Sequence, residues 1–447
     1  MSPARLSALD AAFLSLESEH APMHVGWAAV FAPPADGPRP RFEDIRAHIG
    51  ARLGRAPRYR QRLAHVPLGL GDPVWIDDRD FDICDHVGRA RHGDFERLVD
   101  EVLSAPLQHG RPLWELWIAD ELEDGQIGVV GKAHHCLVDG LAAVELMALL
   151  LDRTPEPDTG SDVGGWTARA APSAMKLVRG AVGQQLDEAL RIAKVPLAFA
   201  RDPARGAGQA WRAARAVSQA AAPPAPPSRL NGAMTSMRHL GTHSRPMEDL
   251  KVIKRRFGTT VNDVLLTACA GALRGLGEDV AVKAMVPVSV EAPDAKWGNR
   301  IAFLFLDLPC QEEDPVWRLR DIHVAMRERK RGGVPEGADM VLNALSYAPR
   351  PIRRVASKVI ASPLLSNLTI SNIPGPQFPL YLMGCEVNDA YPVVPLTDKH
   401  GLSIGMTTIH ARACFGVYAQ SDLAGEADRI AAGIGTEIGT LLARAAA

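Results

Sequence analysis

The sequence predicts an α/β protein of layered α+β character, with mixed sheets flanked by helices, and three observations carry that expectation. Helical and strand-like patterns alternate along the chain. Its 447 residues, 47% hydrophobic and 23% charged, are too many for one ordinary core and suit two or three domains. Breaks rich in Pro and Gly then divide it into an N-terminal domain over 1–165, an Ala-rich helical and Pro-rich connection over 166–228, and a C-terminal domain over 229–447.

Leu6, Leu9, Phe13 and Leu16 fall at helical spacing, and Pro22-Met23-His24-Val25-Gly26 leads into an apolar strand from Trp27 to Phe31. Phe42 to Leu53 reads as a basic amphipathic helix, Pro73 to Ile76 as a short strand and Phe95 to Leu103 as a helix. Arg111 to Ile118 is a largely apolar run whose only interior charge is Glu115. From Thr154 to Gly165 the composition turns to Pro, Asp, Gly and Ser.

Ser173 to Ala220 is Ala-rich and helical, and its Lys and Arg residues, among them Lys176, Arg179, Arg191, Lys194 and Arg201, outnumber Asp187, Glu188 and Asp202. Such a segment suits attachment to an anionic membrane surface or a solvated crossover between domains. Pro196, Pro203, Gly206 and Gly208 interrupt the pattern and favour the crossover. Ala221 to Pro227 is a stiff linker.

Beyond it, Thr259 or Thr260 caps a helix from Val261 to about Leu276. Ala281 to Val290 and Ile301 to Leu308 read as strands flanking a turn at Trp297-Gly298-Asn299-Arg300. Asn367 to Ser371 alternates as a strand and stops at Asn372-Ile373-Pro374-Gly375-Pro376, where prolines forbid ladder bonding. Leu402 to Thr408 and Ala413 to Ala419 pair as a hairpin, and Glu426 to Leu442 forms a final amphipathic helix.

A net charge of −2 and a pI of 6.7 give no electrostatic reason to bind nucleic acid. Six cysteines, scattered singly, and an N-terminus without signal-peptide pattern suit a reducing cytoplasm. No run approaches the roughly 18 apolar residues of a spanning helix, so membrane contact is expected to be peripheral.

The chemistry concentrates in Gly128 to Gly140, where an apolar strand ends in His134-His135 and Asp139-Gly140 turns the chain into a helix starting near Leu141. Strand alternation puts His135 with Ala133 and Gly131, and His134 on the other face with Lys132 and Val130. One histidine can therefore face a given cleft. With an unperturbed pKa near 6.5, it suits a general base taking the proton of a hydroxyl that attacks an acyl group. A thioester donor would leave as a thiol of pKa about 8.5, needing little acid help and no covalent enzyme intermediate. A metal site of His134, His135 and Asp139 lacks a fourth ligand and has diverging histidines. A Cys136–His135 dyad is poorer still, because strand neighbours face opposite sides.

His134-His135-x-x-x-Asp139-Gly140 resembles the signature of the acyl-CoA-dependent acyltransferases, a superfamily shared with nonribosomal condensation domains and chloramphenicol acetyltransferase. Leu9-Asp10-x-x-Phe13-Leu14, Pro22-Met23-His24-Val25-Gly26, Pro112-Leu113-Trp114, Leu230-Asn231-Gly232, Asn262-Asp263, Gly298-Asn299 and Ser371 to Pro376 narrow the resemblance to the bacterial wax ester synthase/diacylglycerol acyltransferase family. It implies two chloramphenicol-acetyltransferase-like domains meeting at a substrate tunnel. His135 would be the base, His134 a supporting residue and Asp139 the holder of the turn that Gly140 permits. Asn262, Ser371 and Asn372 would form the far wall and contact CoA or the oxyanion. Helix-start chemistry for Asn262-Asp263 and a plain chain reversal at Pro374-Gly375-Pro376 compete with those roles, and Pro112-Leu113-Trp114 reads first as core.

The resemblance implies acyl transfer from long-chain acyl-CoA, a co-substrate, to diacylglycerol or a fatty alcohol, with no cofactor and no metal, in the cytoplasm or peripherally at an inner membrane face or lipid droplet. Transfer from a carrier-protein thioester is the enzymatic alternative, and a catalytically silent lipid-binding or droplet protein the non-enzymatic one.

Overall fold

The computed structural model describes residues 4–34, 37–122, 124–137, 150–158, 166–201, 223–277, 282–290, 300–332 and 348–446, with scattered positions between 208 and 218 and between 334 and 341. Asp139, Gly140, the helix expected from Leu141, and Gly298-Asn299 with its turn lie outside the described residues.

The first half runs β1 (Ala4–Arg5), α1 (Ala8–Leu16), β2 (His24–Phe31), α2 (Phe42–Arg52), β3 (Gln61–Ala64), β4 (Val74–Asp77), β5 (Val87–Arg89), α3 (Phe95–Ser104), β6 (Trp114–Ala119) and β7 (Ile127–His134). A helix α4 (Ala174–Arg201) follows and continues through Pro196. The second half runs β8 (Arg238–Pro246), α5 (Met247–Phe257), α6 (Val261–Arg274), β9 (Val282–Val290), β10 (Arg300–Leu308), α7 (Pro315–Arg331) and α8 (Arg350–Ile360). It ends with β11 (Leu368–Ile373), β12 (Tyr381–Leu382), β13 (Cys385–Val393), β14 (Leu402–Ile409), β15 (Arg412–Gln420) and α9 (Ala424–Ala446).

Two six-stranded mixed sheets organise these elements, in the orders β12-β13-β2-β7-β6-β5 and β10-β9-β11-β14-β15-β8, beside a small sheet β1-β4-β3. β12 and β13, more than 240 positions after β7, complete the first sheet, β13 pairing antiparallel with β2 and β12 with β13. β14 and β15 form the expected antiparallel hairpin. β8, which no sequence pattern marked, closes the other edge of their sheet.

The second sheet is covered by α5, α6 and α9. Ala427, Ile430, Ile434, Ile438 and Leu441 of α9 bury one stripe at helical period against Val264, Leu265 and Ala268 of α6. A separate core joins the two halves: Leu98, Val99, Val102 and Leu103 of α3 pack with Val130 of β7, Leu240 of β8 and Tyr418 of β15. Polar bonds reinforce that joint. Ser104 Oγ accepts the Arg238 N–H at 2.8 Å, and the His239 ring lies between Asp100 at 2.8 Å and Asp428 at 2.9 Å.

Candidate active site at the end of β7

β7 lies between β2 and β6, and all its residues are buried. Its last amides diverge. His134 N–H donates to Leu113 O on one side at 2.9 Å, and His135 N–H to Met23 O on the other at 3.0 Å. Two sequence blocks thereby acquire a physical role, since Leu113 lies in Pro112-Leu113-Trp114 and Met23 in Pro22-Met23-His24-Val25-Gly26. Met23 offers that carbonyl from a left-handed backbone, φ +50°, a conformation unusual outside glycine and kept where the surroundings enforce it. Gly26 is required by proximity: a Cβ there would sit 2.3 Å from Gly131 O of β7.

The two histidines differ in surroundings. His134 has no exposed surface, and its Nδ1 accepts the Cys136 N–H at 3.0 Å, which places the proton of the neutral ring on Nε2. Burial lowers its pKa to about 4, against a smaller upward pull from Glu17, whose Oε2 is 3.7 Å from Nε2. His134 is thus neutral at cell pH. His135 is half-buried, and its ring stacks on Phe13 of α1, centroids 3.7 Å apart and planes at 10°. Burial pushes the Cys136 thiol up, so it stays protonated and is no nucleophile.

A polar layer underlies this strand end. Glu17 Oε1 bonds His109 Nε2 at 2.8 Å, which raises the His109 pKa. Lys132 is buried and donates from Nζ to Val102 O at 2.7 Å and Ala105 O at 2.6 Å, satisfying the carbonyl end of α3. His24 pairs across the ladder with His134, and burial holds its pKa well below the usual value.

Comparison with known proteins identifies this arrangement. The model of the wax ester synthase/diacylglycerol acyltransferase catalytic domain matches residues 6–265, and that of the WS/DGAT C-terminal domain matches 297–441. The chain belongs to the wax ester synthase/diacylglycerol acyltransferase family. It is an acyltransferase with the two-sheet architecture expected of that family. The chain is 32% identical to the Mycobacterium tuberculosis protein named probable diacylglycerol O-acyltransferase tgs1, over 98% of this chain and 96% of the relative. Its fold is similar to the wax ester synthase/diacylglycerol acyltransferase of Marinobacter aquaeolei VT8, with TM-score 0.69, 24% identity and full coverage of both chains. It is also similar to the TRI3 trichothecene 15-O-acetyltransferase of Fusarium sporotrichioides, with TM-score 0.64, 11% identity and coverage of 98% and 94%.

In this acyltransferase, the C-terminal candidates sit at element ends. Asn262 is half-buried in the first turn of α6, which Thr260 caps. Its neighbour Asp263 is committed locally: its carboxylate accepts the Thr260 N–H at 2.9 Å and bonds His323 Nδ1 at 2.8 Å. Ser371 and Asn372 lie half-buried in β11, in parallel register with Gly405 and Met406 of β14, so the strand reaches two residues beyond the sequence reading. Trp114 is core, donating its indole N–H to Tyr59 O at 2.8 Å. Among the described residues, no group of three or more His, Cys, Asp or Glu side chains could hold a metal ion. Glu17, His109 and Lys132 gave no local signal as site residues, since their partners lie tens of residues away. His24 and Phe13 did lie within quoted blocks, though without an assigned role.

Proposed function

We propose that this acyltransferase moves a long-chain acyl group from acyl-CoA to the hydroxyl of diacylglycerol, giving triacylglycerol, or of a fatty alcohol, giving a wax ester. The observation that carries the mechanism is the division between the histidines: His134 is sealed and neutral, while His135 is half-buried at the strand end against Phe13. His135 takes the acceptor's hydroxyl proton as its oxygen attacks the thioester carbonyl. The new C–O bond forms, the oxyanion collapses with C–S cleavage, and the departing thiolate of CoA receives the proton from His135. Because that thiol has a pKa of about 8.5, one base and an oxyanion donor suffice without an acyl-enzyme.

The base contributes on the order of 10²- to 10⁴-fold, and one oxyanion donor about 3 kcal/mol. His134 supports the turn through its Cys136 bond. Asp139 holds that turn and Gly140 permits it; Asn262, Ser371 and Asn372 wall the opposite side of a tunnel between the halves and contact CoA or the oxyanion. The protein needs no cofactor beyond its co-substrate. It works in the cytoplasm, at an inner membrane face or lipid-droplet surface, where its acceptors reside. No described helix is long and apolar enough to cross a membrane.

Pure protein incubated with palmitoyl-CoA and, separately, a diacylglycerol or hexadecanol should release CoA and give triacylglycerol or wax ester. His135→Ala should lower turnover at least about 100-fold with an unchanged circular dichroism spectrum. Turnover near wild type in the folded variant would remove His135 from the mechanism. Absence of both neutral lipids with wild-type protein would reject the substrate class.

A further inference from the structure

Exposed apolar side chains gather on three segments that the structure ties together. On α8, Ile352, Val355 and Val359 recur at helical spacing and are 54%, 64% and 54% exposed. On α4, Val182 and Leu186 lie one turn apart and are likewise exposed. Between these helices the loop at Pro67–Gly69 carries Leu68, 91% exposed.

Loop and helices are joined by specific bonds. Arg350 and Arg353 of α8 each bond Asp72 at 2.7 Å, and Arg350 also donates to Gly69 O. Gln185 of α4 donates to Leu70 O at 2.6 Å. Arg5 also ties to α4 by donating to Gly180 O at 2.9 Å. The loop is held in an unusual shape, with Leu68 itself left-handed at φ +58°. A bulky apolar residue kept in that region and turned to water costs free energy locally, which marks a surface made for contact.

The outward charge on α8 has one sign, while on α4 an exposed Asp187 adjoins Leu186. α8 contains four basic residues and no acidic one; two of the four are held by Asp72, while Arg354 and Lys358 are exposed and make no ion pair among the described residues. Arg179 is exposed on α4. An apolar ridge bordered by unpaired cations is complementary to an anionic lipid leaflet, with side chains entering the acyl boundary and cations at headgroup level.

The ridge is also continuous with the site. α8 packs against α1, and α1 carries Phe13, which stacks on His135.

We propose that α8, the Leu68 loop and the outer face of α4 form the surface on which this protein docks to an anionic lipid leaflet, placing α1 and His135 next to the source of the apolar acceptor. The supply of acceptor rests on the acyltransferase reading above; the docking surface does not.

The test is flotation of the full-length protein with phosphatidylcholine vesicles, with and without phosphatidylglycerol. Wild type should float with the anionic vesicles and be released by salt. Leu68→Glu and Val355→Glu, on separate segments, should each lower the partition coefficient about tenfold or more, and Arg354→Glu with Lys358→Glu should abolish the preference for phosphatidylglycerol. Turnover of palmitoyl-CoA with a short water-soluble alcohol should be unchanged in these variants, while turnover of vesicle-borne diacylglycerol should fall with binding. Unchanged vesicle binding in both glutamate variants would overturn the proposal. So would a wild-type dimer that Val355→Glu converts to monomer and that binds no vesicles, since a second copy would then be the occupant. Variant-sensitive flotation in a protein that consumes no thioester would leave the surface standing and reject the acyltransferase chemistry.

Discussion

His134→Asn tests the claim that the first histidine is a neutral structural acceptor. Asn offers Oδ1 close to where Nδ1 receives the Cys136 N–H, and it removes the titrating ring. In the native protein His134 has a pKa of about 4, against 6.5 for the free side chain. The unfolded chain therefore takes up a proton below 6.5 that the native site refuses. The stability associated with the buried ring is complete above pH 6.5, declines as pH falls, and levels off below about 4. Between about pH 7 and about pH 5, a shift of that size removes about 2 kcal/mol.

Equilibrium urea unfolding of wild type and variant at both pH values, followed by tryptophan fluorescence, isolates this contribution, because any packing defect of Asn is common to both conditions. The variant should be less stable at pH 7, and the gap should narrow by about 2 kcal/mol at pH 5. Equal pH-induced losses in the two proteins would mean that His134 does not titrate as a buried neutral ring. The division of roles at the end of β7 would then need redrawing.

Other consequences follow from the same geometry. Gly26→Ala puts a methyl 2.3 Å from Gly131 O, so β2 must withdraw from β7; a loss of about 1–3 kcal/mol in thermal unfolding should accompany a fall in kcat, as the Met23–His135 bond is disturbed. Asp152→Ala leaves the buried Arg52 guanidinium, now bonded at 2.6 Å, without its counter-charge, and should cost about 3–5 kcal/mol in chemical denaturation. His239 is raised to about 9, chiefly by its bond to Asp100 and then by Asp428. Its contribution is present below pH 6.5 and lost as pH rises through about 9, so protection factors in α3 and β8, which are corrected for the intrinsic hydroxide-catalysed rate, should fall between about pH 7 and about pH 10, and His239→Gln should flatten that dependence.

Much of this was legible because it is local. The parity of a strand separates His134 from His135, and the structure keeps them apart as one sealed and one half-buried ring. The helix starting at Thr260, the hairpin of β14 and β15 and the stripe of α9 follow from capping and period. What stayed hidden depends on partners distant in sequence. Tyr381 to Val393 contains polar interruptions such as Asn388 and Asp389, and nothing in it points to β2 as its neighbour. Arg238 to Pro246 is too polar for an apolar-run criterion, yet its first three residues, Arg238, His239 and Leu240, help seal the joint between halves. Glu17 reads as the charged end of a helix until His109, ninety-two positions away, is brought beside it. Asp263 likewise shows only its capping role until His323 arrives from α7.

The return of β13 to the first sheet sets the order in which this protein can mature. β2 keeps an open edge until Val393 has been synthesised, 258 residues after His135, a wait on the order of ten to fifty seconds at ordinary elongation rates. Over that interval the nascent first half presents an unpaired apolar strand bearing Trp27, Ala29 and Phe31, a template for mispairing or chaperone capture. Severing the gene between the halves would deprive the first of its edge partner and leave that strand, β13, on the second piece. Co-expression of the pieces, with β13 supplied in trans, is the condition under which a divided protein could assemble.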